Sequence, residues 1–406
     1  MNVAYVLAED IPFHGRSGAS AHIRNVVKQL ERREHSIEFV SRMSPSGNES
    51  GHSSEAAGDH LRSVASVVLP ETVKTAAKDW WTRRENRRLI QENVDVLRCA
   101  DVIYERDAYQ SFGMIEVRKR IDTPWVVECN GIYWYGESPF ADPVWLDWYK
   151  QKKVQKWENA DHVIVVSEKL KHQIAKEGIK PSKISVIHNG VNINPYRKIS
   201  RNKILEFKST QEFDEKTVIG FMGHIHPKHK VELFVDALHI LSDMGYMIHG
   251  LVVGGGRWKN YRKYASNKGI KSKITFTGSL PPERVPVAVS SMDICTIPGV
   301  NNHDSPVKLF EYGAAGCPVV SVSTPNVKEV ITDGKNGILF DDGSTEDFVR
   351  AISRLLENER LQAQYGAELR KKVESEHTWE DVGRRTEVVL NRVVDTTGVK
   401  QKSTSR

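Results

Sequence analysis

The chain has 406 residues, which at roughly 150 residues per domain predicts two large domains rather than one. An apolar fraction of 39% together with 28 glycines is globular in character and excludes a collagen-like, low-complexity or wholly disordered chain. A net charge of +6, left over from 58 basic and 52 acidic residues, is too modest for a broad nucleic-acid footprint, so no nucleic-acid partner is expected.

No apolar run approaches the roughly 18 residues that would span a bilayer. The opening MNVAYVLAEDIP breaks its apolar stretch with Glu9 and Asp10 and has no basic lead-in, so neither a membrane span nor a secretory signal is expected. Cys99, Cys129, Cys295 and Cys317 are scattered singly, without the close pairs of a zinc or redox site, which fits a reducing, cytoplasmic compartment.

NVAYVLA (2–8) predicts a strand. Ile23, Val26, Val27 and Leu30 recur at helical spacing, and SIEFVS (36–41) alternates as a second strand. From Met43 to Asp59 the chain is rich in turn formers and predicts a mobile loop. Strand candidates return at Val64–Leu69, Val102–Tyr104, Trp125–Glu128, His162–Val166 and Ile184–Ile187. Helical stretches between most of them imply a doubly wound parallel sheet, giving a first domain over 1–198. Residues 199–216 are polar and charged and are expected to be a linker. Strands then alternate with helices again: Val218–Met222, Met247–Val253, Lys273–Phe276, Ile294–Pro298 and Pro318–Val322, with helices at 230–243, 257–268, 282–290, 307–315 and 344–357. That second α/β domain is placed at 217–378, followed by a C-terminal helix at 379–395 packing back on the first domain and a disordered tail at 396–406. Two such sheets would set the carboxyl ends of their strands on opposite walls of one central cleft.

The segment Asn301–Val320, NNHDSPVKLFEYGAAGCPVV, is the richest in chemistry. A helix starting near Val307 would present free amides and the positive end of its dipole to phosphate, with Glu311 placed to accept from a ribose diol. The alternative is that Ser305 merely caps the helix and Glu311 complements its dipole.

SPVKLFEYGAAGCPVV resembles the donor-binding signature of the retaining glycosyltransferases of family 4, which have the two-domain GT-B fold. GASAHIRNVVKQL (18–30), DVIYER (101–106), VVECNG (126–131), DHVIVVSEKLK (161–171), KISVIHNGVN (183–192), GFMGHIHPKHKVELFVDAL (220–238), FTGSLPPERVP (276–286) and NGILFDDGSTEDF (336–348) continue the likeness in order. It implies an α/β fold of two Rossmann-like domains. It further implies transfer of a sugar from a nucleotide diphosphate-sugar to an acceptor hydroxyl of a glycan, glycolipid or polysaccharide precursor. The donor is then a substrate, and no cofactor or catalytic metal is expected.

Carried over residue by residue, the donor set is Gly223, His224, His229, Gly254, Gly255, Asp304, Ser305, Pro306, Val307 and Lys308, with Glu311 at its centre. The Arg that neutralises the diphosphate in the family falls on His224 here, and the Lys falls within Lys228-His229-Lys230, so Lys228 or Lys230 is expected to supply the charge. The first of the two family glutamates falls on His303, which could hydrogen-bond sugar hydroxyls. In the first domain Gly15 and Gly18 lie where small residues let the backbone approach a phosphate or sugar; Gly18 is the better candidate, Gly15 reads equally as a left-handed turn glycine, and His22 reads as a packed or helix-start histidine. Asn130 stands where relatives have a His and could orient a hydroxyl. Gly254-Gly255-Gly256 lacks the GxGxxG spacing, which disfavours an oxidoreductase. Alternatives of the same fold are a non-catalytic nucleotide-binding scaffold, a nucleotide-sugar epimerase and a phosphorylase.

TVKTAAKDWWTRRENRRL (72–89) carries Lys74, Lys78, Arg83, Arg84, Arg87 and Arg88 against Asp79 and Glu85, with Trp80 and Trp81 between. This composition suits peripheral contact with an anionic membrane surface, on its inner face for a cytoplasmic protein. The alternative is a solvated basic helix whose tryptophans pack on the sheet.

Overall fold

The structure is a computed structural model and describes residues 1–15, 17–43, 70–132, 145–213, 215–302 and 305–397. The strand expected at Val64–Leu69, most of the loop expected over 43–59, His303, Asp304 and residues 398–406 lie outside them. The chain divides into two units, Met1–Ile187 with Val382–Arg406, and His188–Asp381.

The first unit is built on a six-stranded parallel sheet of β1 (Asn2–Leu7), β2 (Ser36–Ser41), β3 (Val102–Arg106), β4 (Trp125–Cys129), β5 (His162–Val165) and β6 (Ile184–Val186), in the order β2-β1-β3-β4-β5-β6. Val6 of β1 lies between Val40 of β2 and Glu105 of β3. Its central strands are buried along nearly their whole length, as expected of a sheet with helices on both faces. Helix α1 (Gly18–Glu31) returns from β1 to β2, burying Ile23, Val26, Val27 and Leu30 in the predicted stripe, and Ser17 caps it by accepting from the Ser20 amide at 3.0 Å. Helices α2 (Glu71–Glu92) and α3 (Leu146–Asn159) also belong to this unit.

The second unit repeats the plan with β7 (Thr217–Met222), β8 (Ile248–Val253), β9 (Ile274–Gly278), β10 (Ile294–Ile297), β11 (Val319–Val322) and β12 (Ile338–Phe340), ordered β12-β11-β10-β7-β8-β9. Its principal helices include α4 (Arg201–Thr210), α5 (Val231–Asp243), α6 (Val307–Ala315), α7 (Thr345–Leu356) and α8 (Glu359–Glu376). Neither β12 nor α8 is predicted from the sequence. Three residues flanked by turn formers give a strand no periodicity to show.

Two expected boundaries are corrected. Residues 199–216 are not a linker: they contain α4, and Phe207 and Phe213 are buried in the second unit's core. Lys208 Nζ reaches both carboxylate oxygens of Asp293 at 2.8 and 2.9 Å, and Asp293 accepts from the Val218 amide at 2.7 Å. The first unit's own sheet segment ends at Ile187 instead of 198, because Val191 forms a parallel bridge with Thr378 and joins 188–198 to the second unit.

The last helix, α9 (Trp379–Thr397), lies against the first unit from Val382 onward. A Cβ on Gly383 would come within 2.4 Å of the Gln29 side chain, so α1 and α9 touch backbone to side chain. Glu387 meets Arg33 at 3.2 Å and His35 at 3.1 Å, and Arg385 donates to the Val186 carbonyl at 2.7 Å.

Candidate functional site

In the second unit the strand order reverses between β7 and β10, the place where open α/β sheets bind ligands beyond their carboxyl ends. Gly223 leaves β7 with φ +140°, a conformation that favours glycine. A Cβ there would lie 3.1 Å from Lys308 Nζ, so the lysine of α6 crosses in front of the strand end. Lys308 Nζ also sits 4.5 Å from the centre of the Phe221 ring, a cation–π contact that supports the ammonium.

The chain after Gly223 folds through a short 3-10 turn, Pro227–His229. His229 is buried and its Nδ1 donates to the His224 carbonyl at 2.6 Å. Burial and the neighbouring Lys308 push His229 down to about 3, so its imidazole is neutral and serves as a brace rather than a cation. His224 itself is exposed. Lys230 adopts φ +46° and its Nζ bonds Asp342 at 2.6 Å, so its charge is already matched on the surface.

The glycines after β8 are set by backbone approach. A Cβ on Gly254 would fall 2.0 Å from the Gly223 carbonyl oxygen, one on Gly255 2.4 Å from Ser279 Oγ, and one on Gly256 2.5 Å from the Ile225 carbonyl oxygen. Ile225 donates to the Gly255 carbonyl at 2.7 Å, and Arg257 donates its amide to the Ile225 carbonyl at 3.2 Å. Arg257 is exposed and lies near enough to His226 to help depress that ring's proton affinity, after desolvation and Lys228. This cation escaped the sequence reading; its signal was a single Arg directly after three glycines at a strand end.

Helix α6 starts at Val307 with Pro306 as its cap residue and no side-chain cap bond. Ser305 does not cap it. Its hydroxyl accepts from the Asn189 amide and its carbonyl from Asn189 Nδ2, both at 3.0 Å. The loop before it is held from below, where Asn326 donates to the Asn301 carbonyl at 2.9 Å and Thr324 donates to Asn326 at 2.7 Å. These two residues also escaped the sequence reading, because a buried Asn supporting a loop leaves no local pattern.

Glu311 occupies the second turn of α6, half-buried. Burial pushes its carboxyl up to about 7, opposed by Lys308 and by a hydrogen bond from Tyr196. A carboxyl one turn from a helix start and a cation can accept from a diol while the helix start and Lys308 face an anion. Gly223, His229, Lys308 and Glu311 are thus brought together, with Gly254 and Gly255 packed behind, and Lys228 sits half-buried in the adjoining turn.

In the first unit, Asn130 donates to Glu128 at 2.5 Å. Gly15 is not left-handed, which removes the turn alternative; a Cβ there would lie 2.5 Å from Ser20 Oγ and 2.9 Å from the Pro12 carbonyl oxygen. Gly18 begins α1 in open space. Trp80 and Trp81 are each 50% exposed, so they do not pack on the sheet; α2 buries Asp79, Asn86, Leu89 and Ile90 instead.

A family model described as "Glycosyl transferases group 1" matches residues 202–372, and one described as "Glycosyltransferase Family 4" matches residues 16–194. Over 262 residues the chain is 25% identical to an uncharacterized glycosyltransferase of Methanocaldococcus jannaschii, covering 64% of this chain and 65% of that one. Over 212 residues it is 26% identical to a D-inositol 3-phosphate glycosyltransferase of Rhodococcus opacus, covering 50% and 46%. The chain therefore spans between 46% and 65% of the length of these curated relatives. Among solved structures, HepE of Anabaena in complex with UDP superposes with a TM-score of 0.73 at 15% identity, covering 97% of this chain and 100% of that one. With one family model on each of its two Rossmann-like units, this GT-B chain belongs to glycosyltransferase family 4.

Proposed function

We propose that the protein transfers a sugar from a nucleoside diphosphate-sugar to an acceptor hydroxyl of a glycan or lipid-linked acceptor, with retention of configuration. The observation that carries this is the half-buried Glu311 in the second turn of α6, with Lys308 of the same helix drawn across Gly223. Glu311 accepts the ribose hydroxyls, and the α6 amides with Lys308, Lys228 and Arg257 meet the diphosphate charge that grows as the sugar bond breaks. The diphosphate takes the acceptor proton on the face it leaves. Charge neutralisation by side chains makes turnover independent of divalent metal. UDP, the ligand of the Anabaena neighbour, is the first probe. A thermal-shift series of nucleoside diphosphates tests the site, since a ligand of the folded state alone raises the melting temperature. Turnover of UDP-sugars in EDTA then tests the chemistry. A protein that no nucleoside diphosphate stabilises is not a transferase of this kind, and strict dependence on added manganese or magnesium removes the metal-free step.

A peripheral membrane role is supported by one surface of the first unit. No helix among the described residues is long and apolar enough to cross a membrane. Trp80, Trp81 and Trp145 are 50 to 52% exposed, and Leu146, next to Trp145 in sequence, is exposed as well. Between α2 and α3 lies a groove of about 400 Å³ lined by Trp80, Arg83, Arg84, Arg87, Trp148 and Lys152 among others. Arg83 stacks on Trp148 at 4.6 Å, and Arg84 lies over Trp80 and Trp81 at 5.5 and 5.8 Å. Arg87 and Arg88 are engaged with Glu116 and Glu92. Exposed indoles with stacked guanidiniums match the interfacial zone of an anionic bilayer. Co-sedimentation with vesicles containing anionic lipid, release at high salt, and loss in Arg83→Ser/Arg84→Ser are expected; equal recovery on neutral vesicles rules the contact out.

A further inference from the structure

The first unit's sheet segment ends at Ile187, and residues 188–197 belong to the second unit, where a short helix, Asn194–Arg197, packs on α6. The sequence HNGVNINPYR sets turn formers around Val191, Ile193 and Tyr196, and those three side chains are buried in the second unit's core. On one side the segment is fixed by residues 377–379. Val191 donates its amide to the His377 carbonyl at 2.9 Å and accepts from the Trp379 amide at 3.3 Å. A Cβ on Gly190 would fall 2.6 Å from that same amide nitrogen, so the two stretches touch backbone to backbone. His377 in turn stacks on Phe310 of α6 with ring centres 4.6 Å apart.

On its other side the segment reaches α6 at two points. At the helix start, Asn189 donates its amide to Ser305 Oγ and its Nδ2 to the Ser305 carbonyl, both at 3.0 Å. Ser305 is buried and directly precedes Pro306, the cap residue, so fixing it fixes where the first amides of α6 point. In the second turn, the Tyr196 hydroxyl donates to Glu311.

Tyr196 is buried, and burial with Glu311 beside it pushes its hydroxyl well above the ordinary range, so it keeps its proton and remains a donor. The groups that face this pair are Lys308 on Glu311's own helix, and Cys295 of β10 and Tyr312 of α6 beside Tyr196. Lys308 and Tyr196 both favour the ionised form of Glu311 against the burial that opposes it. An ionised carboxylate has about four acceptor sites, so one bond from Tyr196 leaves room for both hydroxyls of a diol.

We propose that residues 188–197 position α6 for both ends of a bound nucleotide, with Asn189 setting the helix start toward the phosphates and Tyr196 holding Glu311 for the ribose diol. Both are positioning residues that act through their partners on α6. This rests on the reading of α6 as the donor site. UDP is titrated by calorimetry, and uridine, which has the diol without the phosphates, as its competitor, from about pH 6 to about pH 8.5, a range that brackets the Glu311 carboxyl. Tyr196→Phe keeps the buried ring and removes one donor, so Glu311 takes up its proton about one pH unit higher. UDP and uridine should then both weaken by about fivefold near pH 7 and recover to within about twofold near pH 8.5. Asn189→Ala leaves the titration of Glu311 alone: UDP weakens by about fivefold at every pH, while uridine binds as before and reports a folded site. A Tyr196→Phe profile that coincides with that of the unaltered protein overturns the proposal. So does one that lies below it by the same factor at every pH, since lost packing lowers affinity without moving the profile. Equal loss of UDP and uridine in Asn189→Ala, or no loss of either, overturns it as well. Failure of the unaltered protein to bind UDP, or unchanged UDP affinity in Glu311→Ala, overturns the donor-site reading instead, so the two failures are distinguishable.

Discussion

The two units share one strand plan and differ at the place where it reverses. In the second unit that place is made of glycines in close backbone approach, with Lys308 drawn across Gly223 and the half-buried Glu311 one turn along the same helix. In the first it is dense with matched charge. Lys156 bonds Glu105 at 2.8 Å and Asp107 at 2.7 Å, Lys153 bonds Asp107 at 2.6 Å, and all four side chains are at most 3% exposed. The same topology therefore carries two arrangements: one end sets a lysine and a carboxyl among close-packed glycines, and the other meets its charges with one another inside the unit.

The contrast is broken most severely by removing a member of the first unit's ion lattice. Lys156→Met leaves Glu105 and Asp107 buried with one cation fewer, and is expected to cost about 3–5 kcal/mol, because an unpaired buried charge keeps its desolvation penalty. Chemical denaturation followed on both units would show the loss in the first, with UDP binding by the second retained at low denaturant. A loss under 1 kcal/mol, an order-of-magnitude bound for a surface pair, would show the lattice to be hydrated.

Next comes Gly254→Ala. The residue sits at φ +143° and its new Cβ would meet the Gly223 carbonyl oxygen, so β7 and β8 must separate at the site. A cost on the order of 1–3 kcal/mol in the second unit and a loss of UDP binding are expected. Full stability would mean that the loop after β8 has room to shift.

Much of this was legible beforehand. Val, Ile and Leu runs marked nearly every described strand, and SPVKLFEY placed Lys308 and Glu311 on the right helix. What escaped has physical reasons. Phe207 and Phe213 anchor α4 from within a charged stretch, and two aromatic contacts outweigh its polar composition. DVIYER reads as a strand, but nothing local tells that Glu105 and Arg106 are buried, because their partners come from 128 and 156. Lys230 looked like a free cation until its partner Asp342 came near from over a hundred residues away.

Glu311 sharpens the comparison further. Glu311→Ala is expected to weaken UDP by about one to two decades, the worth of roughly 1.5–3 kcal/mol for hydrogen bonds to a charged group, without loss of fold. Unchanged affinity in calorimetry would remove Glu311 from the site. Its proton adds a pH dependence. With the folded carboxyl at about 7 and the ordinary value at 4.5, the folded state holds a proton that the unfolded chain has lost, so this group's contribution to stability falls as pH rises from about 4.5 to about 7. A diol donating to Glu311 favours the ionised form, so UDP affinity should rise over the same interval toward pH 7 and level off above it. Deoxy-UDP lacks one of the donors and should show a shallower rise.

The smallest effect is expected at Lys230. Its ion pair with Asp342 joins two side chains that are 39% and 59% exposed, so solvent screens it and Lys230→Ala should change stability by about 0.5 kcal/mol or less. If the pair also withholds Lys230 from the donor, as the 2.6 Å contact indicates, UDP affinity should barely change in that variant while Lys308→Ala costs about tenfold, because Lys308 lies across Gly223 with Phe221 as its support. Asp342→Asn tests the same point from the other side. Releasing Lys230 toward the turn that carries Lys228 should leave UDP affinity equal or slightly higher. A marked loss in Lys230→Ala alone would show that the lysine leaves Asp342 when nucleotide arrives and joins Lys308 in meeting its charge.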